Sequence, residues 1–342
     1  PNAALGKGLK DWACTRDNVT GLTWEVKVPF ENTVPRNPRR VGEAFQLYNS
    51  VLGIGNPGLP ACPNSLDCDN STCCGDGIND TEKYAQHVNS LNLCGVKNWR
   101  MPTVKELLNI VHFANKGIAI DQNYFPNTWA SIFLSGTTAG AGTSSLIWYV
   151  YFDGISSMYK GYSGVVSTDY IDKKYLVMLV NGNSPGAQTN YKRDPNDRND
   201  ASYKDNGDGT ATHLETGLIW RRCLEGQTWN GSGCDGSAGI YTWEQALTLA
   251  SQSTFSGKSD WRVPNIKELY SLVQEWRSGQ KLNEVVFPSH EDYFLFSSSH
   301  CMLNTKPTNL SSAWRVRFDS GEISCDQKRF SYQLRLVRGG DK

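Results

Sequence analysis

An internal repeat constrains the fold of this chain more than any other feature of its sequence. Residues 98–107 read Asn-Trp-Arg-Met-Pro-Thr-Val-Lys-Glu-Leu, and residues 260–269 read Asp-Trp-Arg-Val-Pro-Asn-Ile-Lys-Glu-Leu. Trp, Arg, Pro, Lys, Glu and Leu recur in the same order at the same spacing, which chance does not explain in a sequence of mixed composition. A repeat of this kind indicates a duplicated structural unit, so we expect two copies of one domain.

Each copy of the repeated motif predicts a strand end that turns into a helix. Thr103 and Glu106 have the spacing of a capping box, and Asn265 and Glu268 form its asparagine version. Apolar residues follow each cap at helical spacing, namely Val104, Leu107, Leu108 and Val111 in the first copy and Ile266, Leu269, Val273 and Trp276 in the second. The motif therefore predicts the start of an amphipathic helix in both copies.

The charged residues of the motif have two interpretations. Arg100 and Arg262 could bind an anionic ligand, but a bidentate Arg–carboxylate pair is equally useful inside a fold, and we favour the structural role. Glu106 and Glu268 are predicted to act as helix caps first. The tryptophans beside the arginines are predicted to anchor the core.

A further helix is predicted upstream of the motif in each copy. Asp80 or Thr81 caps the first, and Thr242 with Gln245 forms a capping box for the second. The residues expected to face the core are Tyr84, Val88 and Leu91 in the first helix and Trp243, Ala246, Leu247 and Ala250 in the second. Each domain is thus expected to contain two helices.

The domain boundaries follow from the repeat. The prediction is a first domain at 1–180 with a Cys-rich insertion at 49–79, a linker at 181–210 and a second domain at 211–342. The linker prediction depends on composition, because 181–210 contains no Leu, Ile, Val, Phe, Trp, Met or Cys.

The overall charge balance excludes some partners. Lys plus Arg and Asp plus Glu both number 34, so the chain has no net charge with which to attract nucleic acid or an anionic membrane. No apolar run approaches the roughly 20 residues that a membrane-spanning helix requires. We therefore expect no nucleic-acid partner and no membrane span.

The ten cysteines indicate an oxidising compartment, because they lie in loops and no Cys/His set has the spacing of a zinc site. Three disulfide pairs are predicted: Cys14 with Cys94, Cys223 with Cys234, and Cys301 with Cys325. The insertion carries four more cysteines, Cys62, Cys68, Cys73 and Cys74, whose pairing is open among three connectivities. The sequence starts at Pro1 without a basic and apolar leader, so a signal peptide either has been removed or was never part of it. Because of the cysteines, we expect a secreted or cell-surface protein whose signal peptide has been removed.

Two corresponding strands, one in each copy, carry the candidate binding residues. In Trp148 to Phe152 and Trp314 to Phe318, alternation places Trp, Val and Phe on the core face and the intervening side chains outside. The outward residues are Tyr149 and Tyr151 in the first copy and Arg315 and Arg317 in the second. The predicted closing strand of the first copy, Tyr175–Val180, corresponds to Gln333–Arg338 in the second. The latter contributes Arg335 to the outer surface, which is predicted to include Lys328 and Arg329 as well.

These residues predict a basic face on the second domain and a tyrosine pair on the first. The arginines could bind sulfate or carboxylate groups, and the tyrosines could stack on sugar rings. The competing interpretation is that Arg and Tyr simply suit exposed β-structure.

No cofactor is firmly predicted, although two acidic sets could hold calcium. One set lies in and beside the insertion and comprises Asp67, Asp69, Asp76 and Asp80; the other comprises Asp194, Asp197, Asp205 and Asp208. Solvated loop and turn chemistry explain both sets more simply.

Taken together, the motifs resemble a known family. The stretches Cys14-x-x-Asp-Asn-x-Thr-Gly-Leu-x-Trp24, Leu93-Cys-Gly-x-x-x-Trp-Arg-x-Pro102 and Trp148-x-Val-x-Phe-Asp-Gly154 are similar to the C-terminal domain of Legionella collagen-like protein. The second copy matches through Thr216-Gly-Leu-x-Trp220 and Asp260–Leu269. The resemblance covers nearly all of 14–340.

The resemblance implies an α+β fold: two tandem C-type-lectin-like domains, each with two helices packed on short twisted antiparallel strands and stapled by disulfides. Members of this family are widespread in bacterial exported proteins, and the founding example is similar to an adhesin that binds sulfated glycosaminoglycans. No family site motif carries over residue by residue, and the fold alone does not fix a function.

Three classes of function are open. The first is a non-catalytic surface protein that binds an extracellular glycan or protein, in particular an anionic glycan. The second is a structural or accessory subunit of a pilus, fibre or other surface assembly that associates with itself or with a filament partner. An enzyme is not expected, because the sequence contains no His-Glu-x-x-His, Gly-x-Ser-x-Gly or phosphate-binding Gly-Lys-Ser/Thr motif. An oxidase like the formylglycine-generating enzymes would need Cys301 and Cys325 as a reactive pair, and a disulfide between them is favoured instead.

Overall fold

The computed structural model describes residues 13–29, 38–50, 54–55, 78–115, 117–139, 146–152, 164–170, 172–182, 202–277, 279–289, 294–301 and 311–339. The chain divides into two compact units. The first contains residues 1–154 and 167–193, and the second contains residues 155–166 and 194–342. The fold is a mixed α+β fold with few helices and many short strands.

The first unit has two α-helices, α1 (Thr81–Ser90) and α2 (Val104–Asn109), with a short 3₁₀ turn at Leu93–Gly95 between them. Its strands are β1 (Cys14–Arg16), β2 (Thr23–Glu25), β3 (Ala44–Gln46), β4 (Tyr48–Asn49), β5 (Ile54–Gly55), β6 (Ile132–Thr138), β7 (Leu146–Tyr151), β8 (Gly164–Tyr170), β9 (Lys174–Leu176) and β10 (Val180–Asn181). The division between the two units falls within β8, after residue 166.

The second unit repeats this plan with α3 (Trp243–Gln252), α4 (Ile266–Ser271) and a 3₁₀ turn at Phe255–Gly257. Its strands are β11 (Tyr203–Asp205), β12 (Thr210–His213), β13 (Ile219–Arg221), β14 (Thr228–Trp229), β15 (Cys234–Asp235), β16 (Phe294–Cys301), β17 (Ser312–Arg317), β18 (Glu322–Gln327) and β19 (Val337–Arg338). The residues predicted as linker thus include β11 and the first residue of β12, while 183–201 lie outside the described residues.

The strand register shows that the two units are copies of one another. Trp24 pairs with Val180 across β2 and β10, and Trp220 pairs with Val337 across β13 and β19. Both tryptophans are fully buried. In each unit, therefore, an early strand pairs with the closing strand, and corresponding residues occupy corresponding positions.

All four predicted helix caps are present. Capping boxes join Thr103 to Glu106, Asn265 to Glu268 and Thr242 to Gln245, and Asp80 accepts a hydrogen bond from the backbone N–H of Lys83. Every apolar residue predicted to follow the two motif caps is buried. On α1 the prediction for Leu91 was wrong: it follows the last helical residue and is 51% exposed.

The strands are not all antiparallel as predicted. One parallel link occurs at the same place in each unit, between Phe133 and Leu176 in the first and between Leu295 and Gln333 in the second. The predicted closing strand Tyr175–Val180 is also broken, since β9 ends at Leu176 and β10 begins at Val180.

A buried carboxylate lies beside this break. Glu25 is fully buried, and one of its oxygens accepts a hydrogen bond from the backbone N–H of Leu179 at 3.2 Å, where the ladder is interrupted. Lys27 Nζ lies 3.3 Å from Glu25, Arg39 Nε lies 3.4 Å from it, and Tyr84 donates its hydroxyl hydrogen to it. Burial lowers the pKa of Lys27 and raises that of Tyr84 well above its usual value. A buried charge needs such partners because an unpaired one is costly.

The second unit places the opposite charge at the equivalent position. Arg221 follows Trp220 as Glu25 follows Trp24, and it forms an ion pair with Glu225. Burial lowers the pKa of Arg221 to about 10, and the neighbouring charge of Arg335 adds to the effect. The two cores therefore share a polar site whose sign has been reversed.

The three predicted disulfides are formed. Cys14 bonds to Cys94, Cys223 to Cys234 and Cys301 to Cys325, with Cα–Cα distances of 6.5, 5.6 and 6.0 Å. The four cysteines of the insertion, Cys62, Cys68, Cys73 and Cys74, lie outside the described residues.

A hydrogen-bond network in the second unit occupies the place of the Cys14–Cys94 disulfide. Register places Thr210 where the first unit has Cys14, and Ser256 where it has Cys94. Both hydroxyls donate to the carboxylate of Asp208, with Thr210 Oγ1 at 2.5 Å. The same strand and 3₁₀ turn are thus joined covalently in one unit and by Asp208 in the other.

None of the helices in the described part of the chain combines the length and the apolar character that crossing a bilayer requires.

Candidate functional site

The arginine of the repeated motif has the same structural role in both units. Arg100 forms a bidentate pair with Glu106 at 2.7 and 2.8 Å and donates to the carbonyl of Gly182 at 2.8 Å. Arg262 does the same with Glu268, at 2.7 and 2.8 Å, and with the carbonyl of Gly339 at 3.0 Å. The motif therefore fastens a helix start to the chain just beyond the closing strand, and the structural interpretation of these residues is confirmed.

The predicted binding residues of the second unit lie mainly on one side of the β16–β17–β18 sheet. On β17, Trp314 and Val316 are buried while Arg315 and Arg317 alternate with them on the outer side. We call the surface made by Arg315, Arg317, Phe294, Asp326 and Tyr332 the arginine face. The alternation predicted from sequence is confirmed for both strands that carry it.

Arg315 is held at the centre of this face by aromatic rings and a carboxylate. Its guanidinium carbon lies 4.0 Å from the ring centre of Phe294 and 4.9 Å from that of Tyr332. Its Nη1 lies 2.8 Å from Asp326 and also bonds the Tyr332 hydroxyl, and its Nε donates to Ser324. Within the described residues no acceptor is bonded to Nη2, and the side chain is 16% exposed. This arginine is fixed in plane and in direction before any ligand arrives.

Carboxylates balance the positive charge of the face, which the sequence did not reveal. Arg317 forms an ion pair with Asp319 at 2.6 Å, and its side chain is 41% exposed. Glu322 lies opposite Arg317 on β18, where burial raises its pKa and the charges of Arg317 and Arg315 oppose that rise. The predicted basic face is therefore a mixed face of guanidinium groups, carboxylates and aromatic rings.

The hydroxyl of Tyr332 is the other fixed element of this face. It donates to Asp326 at 2.5 Å, and burial together with this bond raises the pKa of Tyr332 to about 12. The neutral phenol is thus the form present at physiological pH.

Lys328 and Arg329 lie beside the arginine face. Lys328 Nζ lies 3.9 Å from the ring centre of Trp243 and 2.7 Å from Nδ1 of His300. Arg329 is exposed, with its guanidinium 5.2 Å from the ring centre of Phe330. Burial lowers the pKa of Lys328, and the charge of Glu244 opposes this.

The contact with Lys328 predicts a pH effect at His300. Burial lowers the pKa of His300, and the charge of Lys328 lowers it further. In the unfolded chain this histidine takes up a proton near pH 6.5, whereas in the folded chain it does so only at lower pH. Protonation therefore favours the unfolded chain, and the free energy of unfolding falls as the pH drops below about 6.5. We expect Lys328→Met to raise the pKa of His300, as followed by NMR titration of its imidazole protons. His87, which lies in the first unit, is the internal control, and an unchanged midpoint for His300 would contradict the coupling.

Arg335 does not belong to this face, so its prediction as a surface residue was wrong. It is 1% exposed, donates to the backbone carbonyls of Arg221 and Arg222 at 2.8 and 2.6 Å, and lies against Phe287. The predicted alignment of the closing strands was shifted by one residue. The register equates Val337 with Val180 and hence Arg335 with the buried Met178. Only Val337 and Arg338 form a strand here, and Leu334, Arg335 and Leu336 are all buried, so the alternation expected along a strand does not apply to Arg335.

The first unit has a tyrosine face at the corresponding place. Tyr149 and Tyr151 are half-buried on β7, and Tyr149 stacks on Tyr175 with ring centres 5.9 Å apart. Tyr175 donates its hydroxyl hydrogen to Asp169. The pair Tyr175–Asp169 is equivalent to Tyr332–Asp326, while Tyr149 stands where the second unit has Arg315.

Sequence reasoning missed Phe294, Asp326 and Tyr332 at this site. One signal was available, because a tyrosine follows an aspartate by six residues in both units, at Asp169 and Asp326. Nothing in the sequence indicated that the two side chains would bond.

The aspartates considered as calcium ligands serve the backbone where they are described. Asp80 caps α1, Asp205 accepts from Gly207 N and pairs with Arg222, and Asp208 accepts from Thr210 N. Over the described ranges, no three His, Cys, Asp or Glu residues are grouped so that they could hold a metal ion. Asp67, Asp69, Asp76, Asp194 and Asp197 lie outside the described residues.

The family model of the Lcl C-terminal domain matches the chain twice, over residues 13–181 and 209–338. No curated protein matches the chain.

Proposed function

Because this chain belongs to the Lcl C-terminal domain family, with two copies of the domain, we propose that it is an exported, non-catalytic protein that binds an anionic extracellular glycan. The two C-type-lectin-like domains form its scaffold, and the arginine face of the second unit holds a sulfate or carboxylate group of the ligand. The two helices, the short strands and the disulfides in the units support this scaffold.

The observation that carries the proposal is the fixed guanidinium of Arg315. Two rings and Asp326 hold it, so binding an anion through Nη2 costs little side-chain entropy. Arg317 stands two residues along the same strand and is more exposed. Two guanidinium groups at this spacing, about 7 Å apart along a strand, can bind successive anionic groups of a polysaccharide.

The disulfides support export and disfavour an oxidase. Disulfides form and persist in oxidising compartments, and three link described residues of this chain. Cys301 and Cys325, the pair that an oxidase would need, are bonded to each other across the second unit's sheet.

Heparin binding tests the proposal. We expect the full chain to bind heparin in a salt-dependent manner, and we expect Arg315→Gln/Arg317→Gln to weaken binding at least about 10-fold, because charge-assisted hydrogen bonds are each worth roughly 1.5–3 kcal/mol. Isothermal titration at two salt concentrations measures this.

A charge-matched control separates the face from general charge. Lys204→Gln/Lys258→Gln removes two positive charges from exposed positions of the same unit, away from β17, and should leave binding unchanged. If both double variants lost the same heparin affinity, the effect would be due to net charge and not to the arginine face. Absence of binding to heparin and to any acidic glycan on an array, together with a polymeric state in size-exclusion chromatography, would instead favour the surface-assembly subunit.

A further inference from the structure

A polar cavity of about 560 Å³ opens on the first unit, in the loop between α2 and β6. Its volume falls within the range of sites that bind small molecules. Its rim carries one imidazole, one carboxylate and three carboxamides, from His112, Asp121, Asn115, Gln122 and Asn123. The apolar side chain of Ile118 contributes to its wall, and Ile120 lies beneath it, fully buried.

Backbone hydrogen bonds fix the shape of this cavity. The N–H of His112 donates to the carbonyl of Ala119 at 2.9 Å, and the N–H of Ala119 donates to the carbonyl of Phe152 at 2.8 Å. The carbonyl of Asp121 accepts from Phe125 N at 2.9 Å. The loop is thus tied to the end of β7 and needs little reorganisation to receive a ligand.

The side chains around the cavity retain both donors and acceptors for a ligand. Asp121 Oδ1 accepts from the backbone and side-chain nitrogens of Asn123 at 2.9 and 3.0 Å. Asn115 and Gln122 make only long bonds from their amide nitrogens, at 3.5 and 3.4 Å. Among the described residues, neither ring nitrogen of His112 nor the second oxygen of Asp121 has a hydrogen-bond partner.

This set of groups favours a neutral polyhydroxylated ligand. A hydroxyl both donates and accepts, so it suits a rim where carboxamides, an imidazole and a carboxylate stand side by side. An anion is disfavoured, since the described lining residues include a carboxylate and no Lys or Arg. The apolar wall at Ile118 suits the C–H face of a sugar ring.

The second unit has long side chains at two equivalent positions. There, Gln274 N donates to the carbonyl of Lys281 at 2.7 Å, as His112 N does to that of Ala119. Arg277 stands where the first unit has Asn115, and Lys281 where it has Ala119, and both are buried. The two units therefore differ in side-chain size and charge at this place.

We propose that this cavity is a binding site for a neutral sugar residue, separate from the arginine face. The sugar lies with its C–H face toward Ile118, and its hydroxyls bond Asp121, Asn123 and the other polar groups of the rim.

The test is titration of the full chain with the methyl glycosides of glucose, galactose, mannose and N-acetylglucosamine, followed by NMR. We expect at least one to bind with a Kd of about 1 mM, which corresponds to roughly −4 kcal/mol. Asn115→Arg, which installs the residue of the second unit, should weaken it at least about 10-fold, and Asn123→Ala by several-fold, because a lost hydrogen bond costs roughly 0.5–1.5 kcal/mol.

Two controls keep the test decisive. Gln86→Arg adds the same charge on an exposed position of α1 and should leave Kd unchanged. If Asn115→Arg does not fold, as judged by circular dichroism, the exposed Asn123→Ala variant decides. The proposal is overturned if no glycoside binds, if both cavity variants bind like the unaltered chain, or if Arg315→Gln/Arg317→Gln abolishes the binding instead.

Discussion

Glu106→Ala is expected to destabilise the first unit by about 4 kcal/mol, the cost of removing one partner from a buried ion pair. The side chain of Glu106 is 2% exposed, and its two oxygens bond both terminal nitrogens of Arg100 and the backbone N–H of Thr103. The substitution leaves Arg100 beside a helix start that has lost half of its capping box. Urea unfolding measures the loss.

The equivalent substitution in the second unit is the matched control. Glu268 makes the same bonds but is 17% exposed, and its partner Arg262 is 40% exposed against 21% for Arg100. Water can replace more of its interactions, so Glu268→Ala should cost only about 1–2 kcal/mol, near the cost of losing a helix cap. Hydrogen exchange read by mass spectrometry assigns each loss to its unit. Equal costs in the two units would show that burial does not set the strength of this pair.

Removing the Cys14–Cys94 disulfide is the second large effect, at about 4 kcal/mol. The bond closes a loop of 80 residues, and cross-links over loops of this length restrict the unfolded chain strongly. It also joins β1 to the 3₁₀ turn that precedes the repeated motif. We expect Cys14→Ala/Cys94→Ala to lower the midpoint of the first unit's unfolding transition and to leave that of the second unchanged.

The reverse change in the second unit tests the equivalence of the two sites. Thr210→Cys/Ser256→Cys should form a disulfide at the place of the Asp208 network and stabilise that unit by about 2 kcal/mol, less than the natural bond because two hydroxyl contacts are lost. Mass spectrometry under non-reducing conditions detects the bond. Two thiols that stay reduced under oxidising conditions would contradict the assigned correspondence of Thr210 with Cys14 and of Ser256 with Cys94.

The sequence predicted those parts of the fold that local rules determine. The caps at Thr103 and Asn265 follow from side-chain chemistry within four residues, and the buried positions of α2 and β17 follow from the helical and strand periods. Pairing of the cysteines outside the insertion was also predicted, although Cys14, Cys234, Cys301 and Cys325 lie in strands and not in the loops that were expected.

The parts that depended on distant contacts were not predicted. Glu25 reads as an ordinary polar residue of a short strand, yet Lys27, Arg39 and Tyr84 make its burial tolerable. Arg335 was placed on the surface because a strand was expected along Gln333–Arg338, whereas only Val337 and Arg338 form one. The closing strand is interrupted at the same place in both units, between Leu176 and Val180 and between Gln333 and Val337, and no local pattern reports this break.

The candidate site shows the same division. Alternation along β17 identified Arg315 and Arg317 as outward residues, whereas the carboxylates that balance them come from β18 and from the turn beyond β17. Composition shows how many charged residues the chain has, but not which carboxylates lie beside which arginines. For this reason the sequence predicted a basic face where the structure has one of mixed charge.

The pairing of an early strand with the closing strand has a consequence for how such a protein can arise. The strands β1, β2 and β10 form one sheet, and β11, β12, β13 and β19 form another, so the first and last strands of each unit belong to the same small sheet. A module whose first and last strands are held in one small sheet can be copied in tandem or inserted into another chain with only a short connection. Gene duplication could therefore copy a complete domain, and each copy could then acquire its own surface residues while its framework stayed the same.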